Sequence, residues 1–131
     1  MRLEDEVRKL ICGDDELSKL KLDIIRVLAI FNGVSWISEL IPDIMKVHGY
    51  ILDYQITDDL LEMALHELES EGLVSIESRM RGTFPSKGVY EDKLIKLRDL
   101  EIVKRALAED KTYKSYLSKQ MEIIWRAMKR T

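Results

Sequence analysis

Between residues 60 and 80 the apolar period of the chain changes with no linker in between, and that change limits the available folds. Leu61, Ala64, Leu65 and Leu68 recur at helical spacing. Gly72 follows, and from Val74 the chain alternates, with Val74, Ile76 and Ser78 set against Ser75, Glu77 and Arg79. A helix that becomes a strand this quickly favours a left-handed backbone at the turn, which glycine adopts without a Cβ penalty. A second alternating run follows the Gly82–Gly88 segment, in which Glu91, Lys93, Ile95 and Leu97 are set against Tyr90, Asp92, Leu94 and Lys96. Two such runs around a tip containing Gly82, Phe84, Pro85 and Gly88 predict a β-hairpin.

Helical periods dominate elsewhere. Leu3, Val7, Leu10 and Ile11 predict a helix over 2–12, stopped at Gly13. Asp14 or Asp15 is placed to cap a second helix, whose Leu17, Leu20, Ile24, Val27, Leu28 and Phe31 keep one face as far as Asn32 and Gly33. Ser35 is the expected cap of a third helix reaching about His48, with Pro42 kinking it or moving its start. The connection from Gly49 to Ile56 is too apolar for a solvated loop and is expected to pack down. Thr57 caps the helix over 57–71, with Asp58 and Asp59 in its first turn. After Asp99 the helical period returns through Leu100, Val103, Ala106 and Leu107. A last helix from about Lys111 carries Leu117, Met121, Ile124 and Met128 at spacings of four, three and four, with Trp125 beside them. The expected organisation is an N-terminal helix (1–15), a central unit (16–98) and C-terminal helices (99–131).

Charge is unevenly distributed. Residues 1–71 hold seven Lys/Arg and sixteen Asp/Glu, a net of −9, and residues 72–131 hold fourteen and eight, a net of +6. The whole-chain charge of −3 conceals this split, which predicts a surface suited to a charged partner. Arg79, Arg81 and Lys87 surround the hairpin tip, and Lys93, Lys96, Arg98, Lys104 and Arg105 extend the basic strip. The helix over 57–71 has no Lys or Arg, and its outward positions are Asp58, Asp59, Glu62, Met63, His66, Glu67 and Ser70.

Several helices, the Leu68-Glu69-x-x-Gly72-Leu73-Val74 run and a basic hairpin resemble the winged helix-turn-helix superfamily, closest to MarR-like and PadR-like archaeal and bacterial regulators. The resemblance covers about residues 16–98. It implies a mainly α fold with a small β-hairpin, flanked by N-terminal and C-terminal helices. It further implies a transcriptional regulator that binds double-stranded DNA as a homodimer. The helix over 57–71 would then enter the major groove, with Thr57, Met63 and His66 as weaker contacts. The hairpin would be the wing, its contacts made by Arg79, Arg81 and Lys87. Such regulators dimerise through terminal helices, which assigns the interface to Leu117, Met121, Ile124, Trp125 and Met128, with the 2–12 helix able to join. Lys114 precedes that apolar line and rules out a long coiled coil. The last helix has a second reading, folded back onto its own domain.

The acidic helix opposes this reading, because carboxylates are repelled by phosphates and DNA affinity comes mostly from Lys and Arg. Asp58 and Asp59 also have a plain structural role, stabilising a helix N-terminus by roughly 0.3–1 kcal/mol each. The alternative is a winged-helix interaction module whose acidic helix docks a basic protein partner without DNA. Trp36, Tyr50 and Tyr54 are aromatic candidates for a small effector, or core residues.

Catalytic chemistry finds no support. His48 and His66 are the only histidines and show no ligand spacing, so no metal and no cofactor are expected. His66 fits a partly exposed packing role. Cys12 is alone, which precludes an internal disulfide, and reads as a small buried apolar residue. No phosphate-cradling glycine loop and no marked carboxylate pair occur, so no enzyme is expected. No apolar run reaches the roughly 18–20 residues of a membrane span, and the charged start is not a secretory signal. The expected location is cytoplasmic. One Asn and two Gln beside abundant Lys, Glu and Ile give a thermophile-like composition.

Overall fold

A computed structural model describes residues 2–82 and 88–129. These residues form six helices and a three-stranded antiparallel sheet. In chain order the elements are α1 (Arg2–Cys12), α2 (Glu16–Ile30), β1 (Val34–Trp36), α3 (Ile37–Val47), α4 (Asp58–Ser70), β2 (Val74–Gly82), β3 (Val89–Leu97), α5 (Leu100–Leu107) and α6 (Lys111–Lys129).

Helix α2 is the centre of the core. Asp15 caps it by accepting the Ser18 amide at 3.0 Å. Every residue from Leu20 to Ala29 is buried, including Lys21, Asp23 and Arg26. A helix covered on all sides must pair its charges inside the protein. It ends where Asn32 and Gly33 take positive φ and the Gly33 amide reaches back to the Leu28 carbonyl at 2.6 Å.

Beyond that turn the structure departs from the expected helix cap. Ser35 lies in β1, pairing with Ile95 of β3, and α3 begins at Ile37. Three residues are too few to show a period of two, and their ladder bonds with a distant strand prevail over local capping. Pro42 sits inside α3 and neither delays its start nor divides it into two helices. The Gly49–Ile56 connection packs only in part. Leu52, Tyr54 and Ile56 lie against the core, whereas Tyr50 is 68% and Ile51 83% exposed. Tyr50 follows Gly49 in the left-handed region, and its amide closes the end of α3 on the Met45 carbonyl.

Helix α4 and the hairpin follow their sequence signals. Thr57 accepts the Leu60 amide at 3.1 Å. At the other end Gly72 has φ +78°, and the Leu73 amide returns to the Leu68 carbonyl at 3.0 Å. Ala64, Leu65 and Leu68 are buried. Strands β2 and β3 pair from Val74 opposite Leu97 to Gly82 opposite Val89, and the sheet order is β1-β3-β2.

Helix α1 packs on α2 and α5, and its Val7 and Leu10 belong to the main core. Its apolar face is therefore occupied within its own chain. That core is continuous from Val7 to Tyr113, so α1 and residues 99–113 share one hydrophobic core with 16–98. Cys12 is exposed, not buried, because the apolar face of α1 runs through Leu3, Val7 and Leu10 and leaves residue 12 outside.

Candidate interaction surface

Helix α4 and the hairpin form the two walls of a cleft of about 400 Å³. Glu62, Leu65, His66 and Glu69 line it from α4, Ile76, Ser78 and Lys93 from the hairpin, and Ile37 from the start of α3. Its floor is apolar and its rim is charged, acidic on the helix side and basic on the strand side. Thr57, Met63 and His66 are all exposed. The Thr57 hydroxyl already accepts the Leu60 amide. Asp58, Asp59, Glu62 and Glu69 are also exposed and make no ion pair among the described residues. Glu67 and Glu71 differ, because both reach the buried Lys21. Burial disfavours the charged form of Lys21, but bonds to Glu71 and Glu67 prevail and raise its pKa.

The hairpin cations are not equivalent. Arg79 is half-exposed and pairs with Glu77 at 3.0 Å. Lys96 shares that same carboxylate at 3.1 Å. An exposed pair of this kind is weak and easily exchanged for another anion. Arg81 is held on several sides. It donates to Asp92 at 3.0 Å, lies 3.4 Å from Glu39, and stacks over the Trp36 ring at 4.3 Å. The hydrogen bond that Arg81 donates to Asp92 raises the pKa of Arg81. Burial opposes the Asp92 carboxylate, yet Ser38, Arg81 and the Lys93 amide hold its pKa below the usual range. Arg81 thus ties β2 to β1, β3 and α3. The sequence hid this because Trp36, Ser38 and Glu39 are distant along the chain, although Asp92 lies on the paired strand. Lys93 is exposed and its ammonium has no ion pair among the described residues. Lys87 lies outside the described residues.

A second ionic cluster, invisible in the sequence, joins α2 to the root of α6. Arg26 grips Asp110 with two bonds, Nε to Oδ2 at 2.8 Å and Nη2 to Oδ1 at 2.7 Å. Its third bond reaches Asp23 at 2.7 Å. His48 Nε2 faces the same Asp23 oxygen at 2.7 Å, and the Tyr54 hydroxyl donates to the other at 2.6 Å. Asp110 also accepts the Tyr113 amide, which caps α6. Asp23 and Asp110 are almost wholly buried. Burial, with Asp23 beside it, pushes the Tyr54 hydroxyl far above its ordinary pKa. Four chain segments meet here, and the donors and acceptors satisfy one another. His48 and Tyr54 therefore have structural partners, and Trp36 is covered in part by Arg81.

Past Tyr113, helix α6 leaves the core. Leu117, Met121, Ile124, Trp125 and Met128 are all exposed. The helix does not fold its apolar line back onto its own domain. No three or more acidic, Cys or His side chains are grouped to hold a metal among the described residues. No described helix is long and apolar enough to cross a membrane. No protein-family model matches this chain, and no curated protein sequence matches it either.

Proposed function

We propose that this protein is a winged-helix DNA-binding protein acting on double-stranded DNA, in the manner of a transcriptional regulator. The order helix, strand, helix, helix, strand, strand over residues 16–97, with sheet order β1-β3-β2, supports the winged-helix reading. The observation that carries the DNA reading is the joint exposure of α4 and the hairpin on the two sides of one cleft. A helix beside an extended basic hairpin suits one groove and the adjacent backbone. On this reading Arg79, Lys93 and Lys87 meet phosphates, while Thr57, Met63 and His66 supply shape along α4. Arg81 acts by holding the hairpin stem against α3.

A second reading is favoured by one observation, the four α4 carboxylates that make no ion pair among the described residues. Asp58, Asp59, Glu62 and Glu69 fit a basic protein surface better than a phosphate backbone. Replacing Glu62 and Glu69 with Lys separates the readings, since both side chains are exposed and the fold should tolerate the change. The DNA reading predicts duplex binding at least about tenfold tighter at low salt, as four charge units change beside the backbone. Unchanged or absent duplex binding, together with loss of a partner in a pull-down, would favour the interaction module.

A further inference from the structure

We infer that the outer part of α6 is an interfacial helix that seats on a bilayer surface rich in anionic lipid. Every residue from Leu117 to Lys129 is exposed, so this stretch stands clear of its own domain. At about 100° per residue, Ile123, Ile124, Leu117, Met121 and Trp125 fan across roughly 200° of the helix circumference. Their exposures run from 38% at Leu117 to 66% at Met121. Tyr116, Gln120 and Ala127 fall inside that span and carry no charge. Lys119, Glu122, Arg126 and Lys129 share the remaining side, where Glu122 pairs with Arg126 at 2.6 Å. From Lys111 to Lys129 the helix holds five Lys or Arg and one Glu, a net of +4 in a chain whose total is −3.

Three features select a lipid surface over other occupants. The first is breadth. A partner helix covers only a narrow seam, whereas the interfacial plane of a bilayer takes up a broad apolar face. The second is charge, since a polar side made mostly of cations complements anionic headgroups. The third is Lys114. It falls within the apolar span one turn before Leu117 and has no ion pair among the described residues. In a dry protein seam its ammonium would be buried without a partner. At a bilayer its stem lies along the acyl chains while the ammonium reaches the headgroups. Trp125 and Lys129 repeat this arrangement at the far end, with the ammonium 5.0 Å from the ring centre. An indole so placed suits the headgroup level of a bilayer. The helix lies on the surface and does not span it. The Arg26–Asp110 grip fixes the root of α6, so the seated helix would carry the body with it. None of this rests on DNA binding.

The test is co-sedimentation of the full chain, without DNA, with vesicles rich in phosphatidylglycerol and with vesicles of phosphatidylcholine alone. The interfacial helix predicts partition at low salt at least about tenfold stronger on the anionic vesicles. It predicts a blue shift of tryptophan emission that Trp125→Phe removes, although Trp36 remains. Met121→Asp/Ile124→Asp should abolish partition with helical content unchanged. Lys111→Gln/Lys129→Gln, which leaves the apolar face intact, should weaken the anionic preference by about tenfold. No partition on anionic vesicles, or equal partition on both kinds, would overturn the inference. So would partition that survives Met121→Asp/Ile124→Asp, which would assign it to another basic surface such as the hairpin. A chain that dimerises and ignores vesicles would overturn it as well, with a second copy covering the face.

Discussion

Two ionic regions of this molecule use the same residue types in opposite ways. Around Arg26 the charges are buried and matched, with Asp23, Asp110, His48 and Tyr54 closing on one guanidinium and one another. Along α4 and the hairpin the charges are exposed and only partly matched. Glu77 is shared by Arg79 and Lys96, while Asp58, Asp59, Glu62 and Glu69 have no partner among the described residues. A closed network holds a fold together, whereas leftover charge is available to a partner. Arg81 is of the matched kind although it sits on the hairpin, since Asp92 and the Trp36 ring both engage it.

The largest effect should come from opening the buried cluster. Arg26→Ala leaves Asp23 and Asp110 as uncompensated buried carboxylates, and about 3–5 kcal/mol of stability should be lost. Urea denaturation measures this, and a loss near zero would mean that water already satisfies the cluster. Tyr54→Phe removes one neutral donor to the Asp23 carboxylate and should cost about 1.5–3 kcal/mol. Its smaller size relative to Arg26→Ala tests whether charge, and not packing, dominates there.

Hairpin variants sharpen the other side. Arg79→Ala should leave the melting temperature unchanged and reduce the salt slope of duplex binding by about one unit. Arg81→Ala should instead lower the melting temperature by a few degrees, with affinity falling and the slope nearly constant. Equal slope changes in the two variants would place Arg81 on the phosphate backbone. The smallest effect concerns pH. The folded-state pKa of Asp92 is depressed, so its contribution is present above the ordinary carboxylate range, near pH 4, and lost as pH falls through the folded value. Asp92→Asn should therefore flatten the acid limb of a stability-versus-pH curve, read by thermal melts between pH 2 and 6, values chosen to bracket ordinary carboxylate titration.

The legible parts of the fold were those written locally. Asp15 and Thr57 cap the helices that follow them, and Gly72 turns α4 into β2. Each signal lies within four residues of its effect. The hairpin was legible because both strands are long enough to alternate. Strand β1 was not, since Val34–Trp36 owes its state to Leu94–Lys96, some sixty residues away. The buried cluster was hidden for the same reason, because Arg26 and Asp110 are 84 positions apart. Partner availability was the least legible property of the surface. Arg79, Arg81 and Lys93 look alike in sequence, and only folding shows which carboxylates each one meets.

The most direct test of the DNA reading is fluorescence anisotropy of a labelled random-sequence duplex, titrated with the full chain at two salt concentrations. A wing that meets phosphates should give submicromolar binding at low salt that weakens steeply as salt rises, the signature of Lys and Arg displacing counterions. No binding even at low salt would contradict it and leave the carboxylates of α4 as the contact surface for a basic protein.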